Sequence, residues 1–225
     1  MKKRILNLVL IAGFAAGSVA CKSDKQNEAK TEEAREVAAT SEEAVTYEID
    51  KTASTITWRG TKPTGEHKGT IDIQNGQIVI SGNKITGGKV MIDMNSIAVT
   101  DEDMDEENRS KLENHLKGTV EGKETDFFNV KKYPVASFEI TGLSGNNEEQ
   151  LLEGNLTLKD ETKHIEFPVK AIVEDDMVSI ESQTFTIDRT NWGVNYGSKT
   201  VFDNLGDQFI SDDMELTIKV KANRL

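Results

Sequence analysis

One cysteine in 225 residues excludes an intramolecular disulfide, so any fold outside the cytoplasm must rest on a hydrophobic core. About 180 residues suffice for one. Prolines number only 3 and aromatics 6%, with 17 glycines, which argues against a low-complexity chain. Basic charge is also scarce. The formal net charge is −12, and loss of Lys2, Lys3 and Arg4 with the first 20 residues takes it to −15. Such a surface repels phosphate backbones, so no nucleic-acid partner is expected. Only three histidines occur, His67, His115 and His164, at spacings that do not argue for a metal site. A Gly-rich phosphate loop, a nucleophile elbow and an HExxH motif are all missing. No catalytic residue, metal or cofactor is assigned from these residues.

What is present begins with a leader. Lys2–Arg4 is a positive n-region, Ile5 to Ala16 an apolar run, and Gly17, Ser18 and Ala20 a small-residue end, as in a secretory signal peptide over 1–20. The run is short for a membrane span, which needs ~20 apolar residues. The sole cysteine follows directly. Ser18-Val19-Ala20-Cys21 resembles a lipobox despite Ser18 where Leu is usual, and implies acylation of Cys21. Residues 21–45 are charged and nearly free of bulky apolar side chains, so they read as an acidic disordered tether. The expected location is the cell envelope, lipid-anchored to a membrane. Its start, Lys22-Ser23-Asp24, is similar to the charged signal of surface lipoproteins of Bacteroidetes.

From Tyr47 onward, apolar and polar residues alternate between Gly and Asn punctuation. Period-two runs cover Thr55–Arg59, Thr70–Ile73, Ile78–Ile80, Val90–Asn95, Val135–Leu143, Leu151–Leu158, Lys163–Val173, Met177–Asp188 and Met214–Ala222. The exception, Asp103–Leu116, is rich in helix formers, with Thr100 and Asp103 as a capping pair. Short antiparallel strands with one apolar face must close or sandwich. About eight would give a barrel whose interior is either packed or holds one small ligand.

Five stretches resemble the YceI family in order: YEIDKTASTITW, MIDMNSIAVTD, NHLKGTVEGKETDFFNVKKYPVASFEITGL, GNLTLKDETKHIEFPVKA and FTIDRTNWGVNYG. The resemblance implies an all-β domain over 46–225, an extended antiparallel eight-stranded lipocalin-like barrel with a short helical segment near its mouth. It also implies a long isoprenoid lipid, such as a polyprenyl phosphate or a quinone tail, held in the lumen for transport, storage or sequestration, and it implies no enzymatic activity. Trp58, Phe138, Leu156, Phe167 and Phe185 are candidate lining residues, or else plain core. Phe127, Phe128 and Tyr133 mark an inward loop that is either a gate or a plug. His115 either meets a head group or caps the helix. Arg189, beside Trp192, either clamps a head group or forms a structural ion pair. A basic patch from Arg189, Lys163 or Lys199 would suit a phosphate, and without it a neutral head is favoured. The alternative function is a filled barrel acting as an envelope scaffold.

Overall fold

The computed structural model describes residues 27–37, 41, 43–146 and 149–225. The leader and Cys21 lie outside the described residues. Among the described residues eleven strands and one α-helix form: β1 Lys30–Glu33, β2 Val45–Ile49, β3 Thr55–Lys62, β4 Gly65–Ser81, β5 Lys84–Val99, β6 Val135–Gly145, β7 Gln150–Leu158, β8 Glu161–Val173, β9 Met177–Ser182, β10 Phe185–Asp188 and β11 Asp213–Arg224 are the strands. The helix, α1 Glu106–Lys117, joins β5 to the loop before β6. Among the described residues no helix is long and apolar enough to cross a membrane.

Antiparallel pairing runs β3-β4-β5-β6-β7-β8-β9-β11 and returns to β3. This closed ring of eight strands is the lipocalin-like barrel expected from the resemblance. Closure removes the open edges that would otherwise invite pairing between molecules. Two staves are broken in half. β2 and β3 share the flank of β4, and β9 and β10 share the flank of β11. The sequence had suggested a single strand through Met177–Asp188. Conversely, the runs around Ile71–Ile73 and Ile78–Ile80 are one strand. Gly76 does not turn the chain there. It lies past two register shifts in β4, where a Cβ would stand 2.7 Å from the Lys89 carbonyl oxygen and from Ile49.

Part of the expected tether is ordered, whereas residues 22–26, 38–40 and 42 of it lie outside the described residues. Between the early part of β8 and β10 the wall would gape, because β9 reaches β8 only from Val169 to Val173. Residues 27–33 fill this seam. β1 pairs antiparallel with Lys163–Glu166 of β8, and Glu28 bridges Thr186 of β10 in parallel. Ala29 enters the core with 4% exposure. Composition did not reveal this, because KTEE has no apolar face. Its strand state comes from neighbouring edges that offer unpaired backbone groups.

α1 starts later than expected. Thr100 still donates its backbone N–H to the Lys68 carbonyl at 2.9 Å, and Asp101 accepts from His67 and from the Lys68 N–H. The cap is Asp105, whose Oδ1 accepts the Asn108 N–H at 2.9 Å, and Gly118 ends the helix at φ 69°. Glu113 accepts the Val99 N–H at 2.8 Å and ties the helix to β5. Leu112 and Leu116 pack against the core.

Candidate ligand-binding site

Alternation along each strand sends one set of side chains inward. Met214, Leu216, Ile218 and Val220 of β11 face Leu152, Leu156 and Leu158 of β7 and Ile165 and Phe167 of β8 across a narrow lumen of about 90 Å³. Every lining residue is apolar. The lining runs along β11 from Met214 to Val220, seven residues or roughly 20 Å. Phe167 and Phe185 stack with centroids 4.1 Å apart, and Phe138 leans on Phe167 at 5.7 Å. Gly154 admits the Phe138 ring, since a Cβ there would lie 2.4 Å from its Cζ. Beyond Ile78 and Val220 the barrel is closed by packed side chains. Tyr47, Ile49, Ile80, Ile85 and Val178 are buried there outside the lumen, and the Tyr47 hydroxyl donates to the carbonyls of Glu174 and Asp175.

At its other end the lumen meets a vestibule of about 270 Å³. Ile71, Phe128 and Met214 line both spaces and form the neck between them. The vestibule is of mixed chemistry. Lys62 and His67 come from the β3–β4 hairpin, His115 from α1, Phe127 from the following loop, and Tyr196 and Asp213 from the last 30 residues. His67 Nδ1 lies 2.7 Å from an Asp101 oxygen, and His115 Nε2 lies 2.7 Å from an Asp126 oxygen. The rings of His115, Phe127 and Tyr196 meet at 5.0 to 5.2 Å. Trp58 lies at this end too, its ring against Gly69, where a Cβ would come within 2.7 Å of the indole. Its Nε1–H is buried and has no partner among the described residues, an arrangement that costs about 1–3 kcal/mol unless an acceptor arrives.

The candidate residues separate into three groups. Phe138, Leu156, Phe167 and Phe185 line the lumen, and Phe128 its neck. Trp58, His115 and Phe127 line the vestibule. Phe127 and Phe128 both point inward because residues 118–134 form a loop, free of strand alternation. The loop is held to the helix end by the Phe128 N–H on the Leu116 carbonyl at 3.1 Å. The third group serves the frame. Tyr133 donates to Asp160 at 2.9 Å, away from both spaces. Trp192 is fully buried outside them and donates its Nε1–H to the Leu156 carbonyl at 3.0 Å. Arg189 borders the vestibule, yet its guanidinium donates to the carbonyls of Val194, Ser211 and Ile210, with Asp212 at 3.7 Å. Burial lowers its pKa against the pull of Asp212 and Asp188. It staples the 189–212 segment, as the structural option for it foresaw, although carbonyls dominate over the carboxylate. His115 likewise does not cap α1, since the capping N–H groups come from Gly118 and Thr119.

The basic patch weighed from sequence does not assemble. Lys163 pairs with Glu33 at 2.7 Å on the outer wall, and Lys199 lies over the Phe209 ring at 4.4 Å. Lys62 does reach the vestibule and carried no sequence signal beyond its place in a Gly- and Pro-containing turn. Tyr196 is 40% exposed and leads into Val201 and Phe202, at 46% and 49%. These apolar side chains lie on the loop that follows the vestibule wall.

A comparison with known proteins follows this geometry closely in extent. The YceI-like domain family matches residues 47–222. A UPF0312 protein of Pseudomonas aeruginosa is 33% identical over 88 residues. The aligned part spans 39% of this chain and 39% of that relative's length. Among solved structures, BcnA of Burkholderia cenocepacia superposes with a TM-score of 0.58 at 18% identity, over 77% of this chain and 99% of that one. A polyisoprenoid binding domain from Saccharophagus degradans gives 0.56 at 15% identity, over 80% and 99%. At these identities the likeness is one of fold.

Proposed function

The chain belongs to the YceI-like domain family, and on that footing we propose that it binds one long isoprenoid lipid, with the tail in the lumen and the head in the vestibule. The observation that carries this reading is the wholly apolar lumen, closed at one end and opening through a neck onto polar groups. A tail that hides ~300 Å² of its surface there gains ~7 kcal/mol at 25 cal/mol per Å², part of which is lost to ordering the chain. The polyisoprenoid-binding name of the Saccharophagus degradans neighbour agrees with it.

The head is a neutral acceptor of the quinone kind. Vestibule cations are few, Arg189 is engaged with carbonyls, and both vestibule histidines face carboxylates. The unpartnered Trp58 N–H would instead meet a carbonyl oxygen. The role is carriage or sequestration at a membrane, with Cys21 acylated as the anchor and no reaction assigned. Exposed Val201 and Phe202 beside the mouth would touch the bilayer from which the lipid is drawn.

The chain's two tryptophans make the test direct. A quinone with a long isoprenoid tail is titrated into the protein while indole fluorescence is followed. Quenching is expected from Trp58 and not from Trp192, so Trp192→Phe retains it and Trp58→Phe loses it. Equal quenching of both, or none, contradicts the reading.

A further inference from the structure

A second site lies on the outer wall, away from the lumen. Register pairs Glu153 with Glu166 and Asn155 with His164, and strand alternation turns all four outward while Leu152, Leu156, Ile165 and Phe167 face in. Nε2 of His164, a carboxylate oxygen of Glu153 and one of Glu166 lie within 4.8 Å of one another. The histidine stands 3.7 Å from Glu166 and 4.0 Å from Glu153. It has no exposed surface, and its Nε2 has no hydrogen-bond partner among the described residues.

The tautomer follows from the neighbours. The Arg35 backbone N–H donates to Asn155 Oδ1 at 2.9 Å, and Asn155 Nδ2 donates to the Arg35 carbonyl at 2.7 Å. The amide is therefore oriented with its oxygen toward His164, whose Nδ1 is 3.3 Å away and must be the N–H donor. With its proton on Nδ1, the imidazole turns Nε2 toward two carboxylates. Arg35 relieves the carboxylates, with contacts of 3.1 Å to Glu153, 2.7 Å to Glu166 and 2.7 Å to Glu32. It leaves the imidazole nitrogen unsatisfied.

We propose that Glu153, His164 and Glu166 form a binding site for a divalent transition-metal ion of the zinc class, with the Arg35 guanidinium holding the place as an internal counter-ion. One imidazole and two carboxylates are zinc ligands, and the Asn155 contact on Nδ1 supplies the outer hydrogen bond that fixes a ligating histidine. Tetrahedral ligands at ~2.0–2.1 Å from zinc stand roughly 3.4 Å apart, so the histidine contacts need to close by only a few tenths of an ångström. Three protein ligands leave one position for water. Arg35 belongs to the segment that seals the β8–β10 seam, so metal and guanidinium compete for the same carboxylates.

The purified full-length chain carrying Cys21→Ser, which removes its one thiol as a competing ligand, is titrated with Co²⁺ and followed by visible absorption, with Zn²⁺ as competitor. One Co²⁺ per chain is expected. Arg35→Ala should tighten binding about tenfold, and His164→Gln should weaken it about a hundredfold. Absence of binding in both the parent and Arg35→Ala, or unchanged binding in His164→Gln, overturns the site. If circular dichroism shows that His164→Gln does not fold, the double change Glu153→Gln and Glu166→Gln takes its place, and metal affinity that survives it is the overturning result.

Discussion

The lumen and the vestibule adjoin at three shared residues and follow different rules. The lumen is built from the inward faces of strands, every member apolar, so it discriminates by shape and length. The vestibule is assembled from a hairpin, a helix end and two loops, and it carries histidine–carboxylate pairs and an unpartnered indole N–H. A uniform wall accepts any tail that fits, whereas polar atoms on loops tell one head group from another.

The largest effect expected on this contrast comes from a charge in the lumen. Phe167→Asp places an unpaired carboxylate where no lining residue can hydrogen-bond to it. A loss of about 4 kcal/mol or more is expected in urea unfolding, together with loss of lipid uptake. Arg189→Lys separates frame from site at the vestibule edge. Three carbonyls meet three separate guanidinium nitrogens, a spread that a single ammonium nitrogen cannot span, so stability should fall by about 2–4 kcal/mol. The quinone affinity of the remaining folded protein should be unchanged, and a selective loss of affinity at full stability would restore Arg189 as a head-group clamp.

Trp58→Phe keeps the ring and removes the N–H. Stability should hold or rise slightly, because a buried unsatisfied donor disappears, while affinity for a carbonyl head drops about fivefold, or ~1 kcal/mol. Isothermal titration with a tail lacking the head should show no difference between the two proteins. The smallest effect is acidic. Hydrogen bonds from the Asn108 N–H and side chain hold Asp105 below the usual carboxylate pKa of 3.8. A carboxylate depressed in the fold stabilises it above its unfolded pKa and loses that contribution as pH falls through the folded one. Between pH 5 and pH 2, amide exchange in the first turn of α1 should therefore rise before exchange in β7 and β8.

The same division governed what could be read from the chain. Alternation exposed Phe138, Leu156, Phe167 and Phe185 as inward residues, because a strand's period is written in consecutive positions. The choice between packed core and lumen was not written there, since it depends on how far opposite walls stand apart. The loop aromatics Phe127 and Phe128 were visible as a breach of alternation. Lys62 and Tyr196 were not, for they meet only through ring closure across more than 130 residues. Trp192 looked like a ligand contact because aromatic residues suit both roles, and its bond to the Leu156 carbonyl decides for the frame. β1 was hidden for a related reason. Its strand state is dictated by the open edges of β8 and β10, with no contribution from a hydrophobic period of its own.

Native mass spectrometry of the full-length protein, purified under conditions that spare bound lipid, tests the central claim most directly. The account predicts one isoprenoid lipid per chain, with a neutral head, and its loss in Ala136→Leu, which narrows the lumen at a residue 2% exposed while the protein remains folded. A chain that purifies without lipid, and takes up neither a long-tailed quinone nor a polyprenyl phosphate, would contradict it.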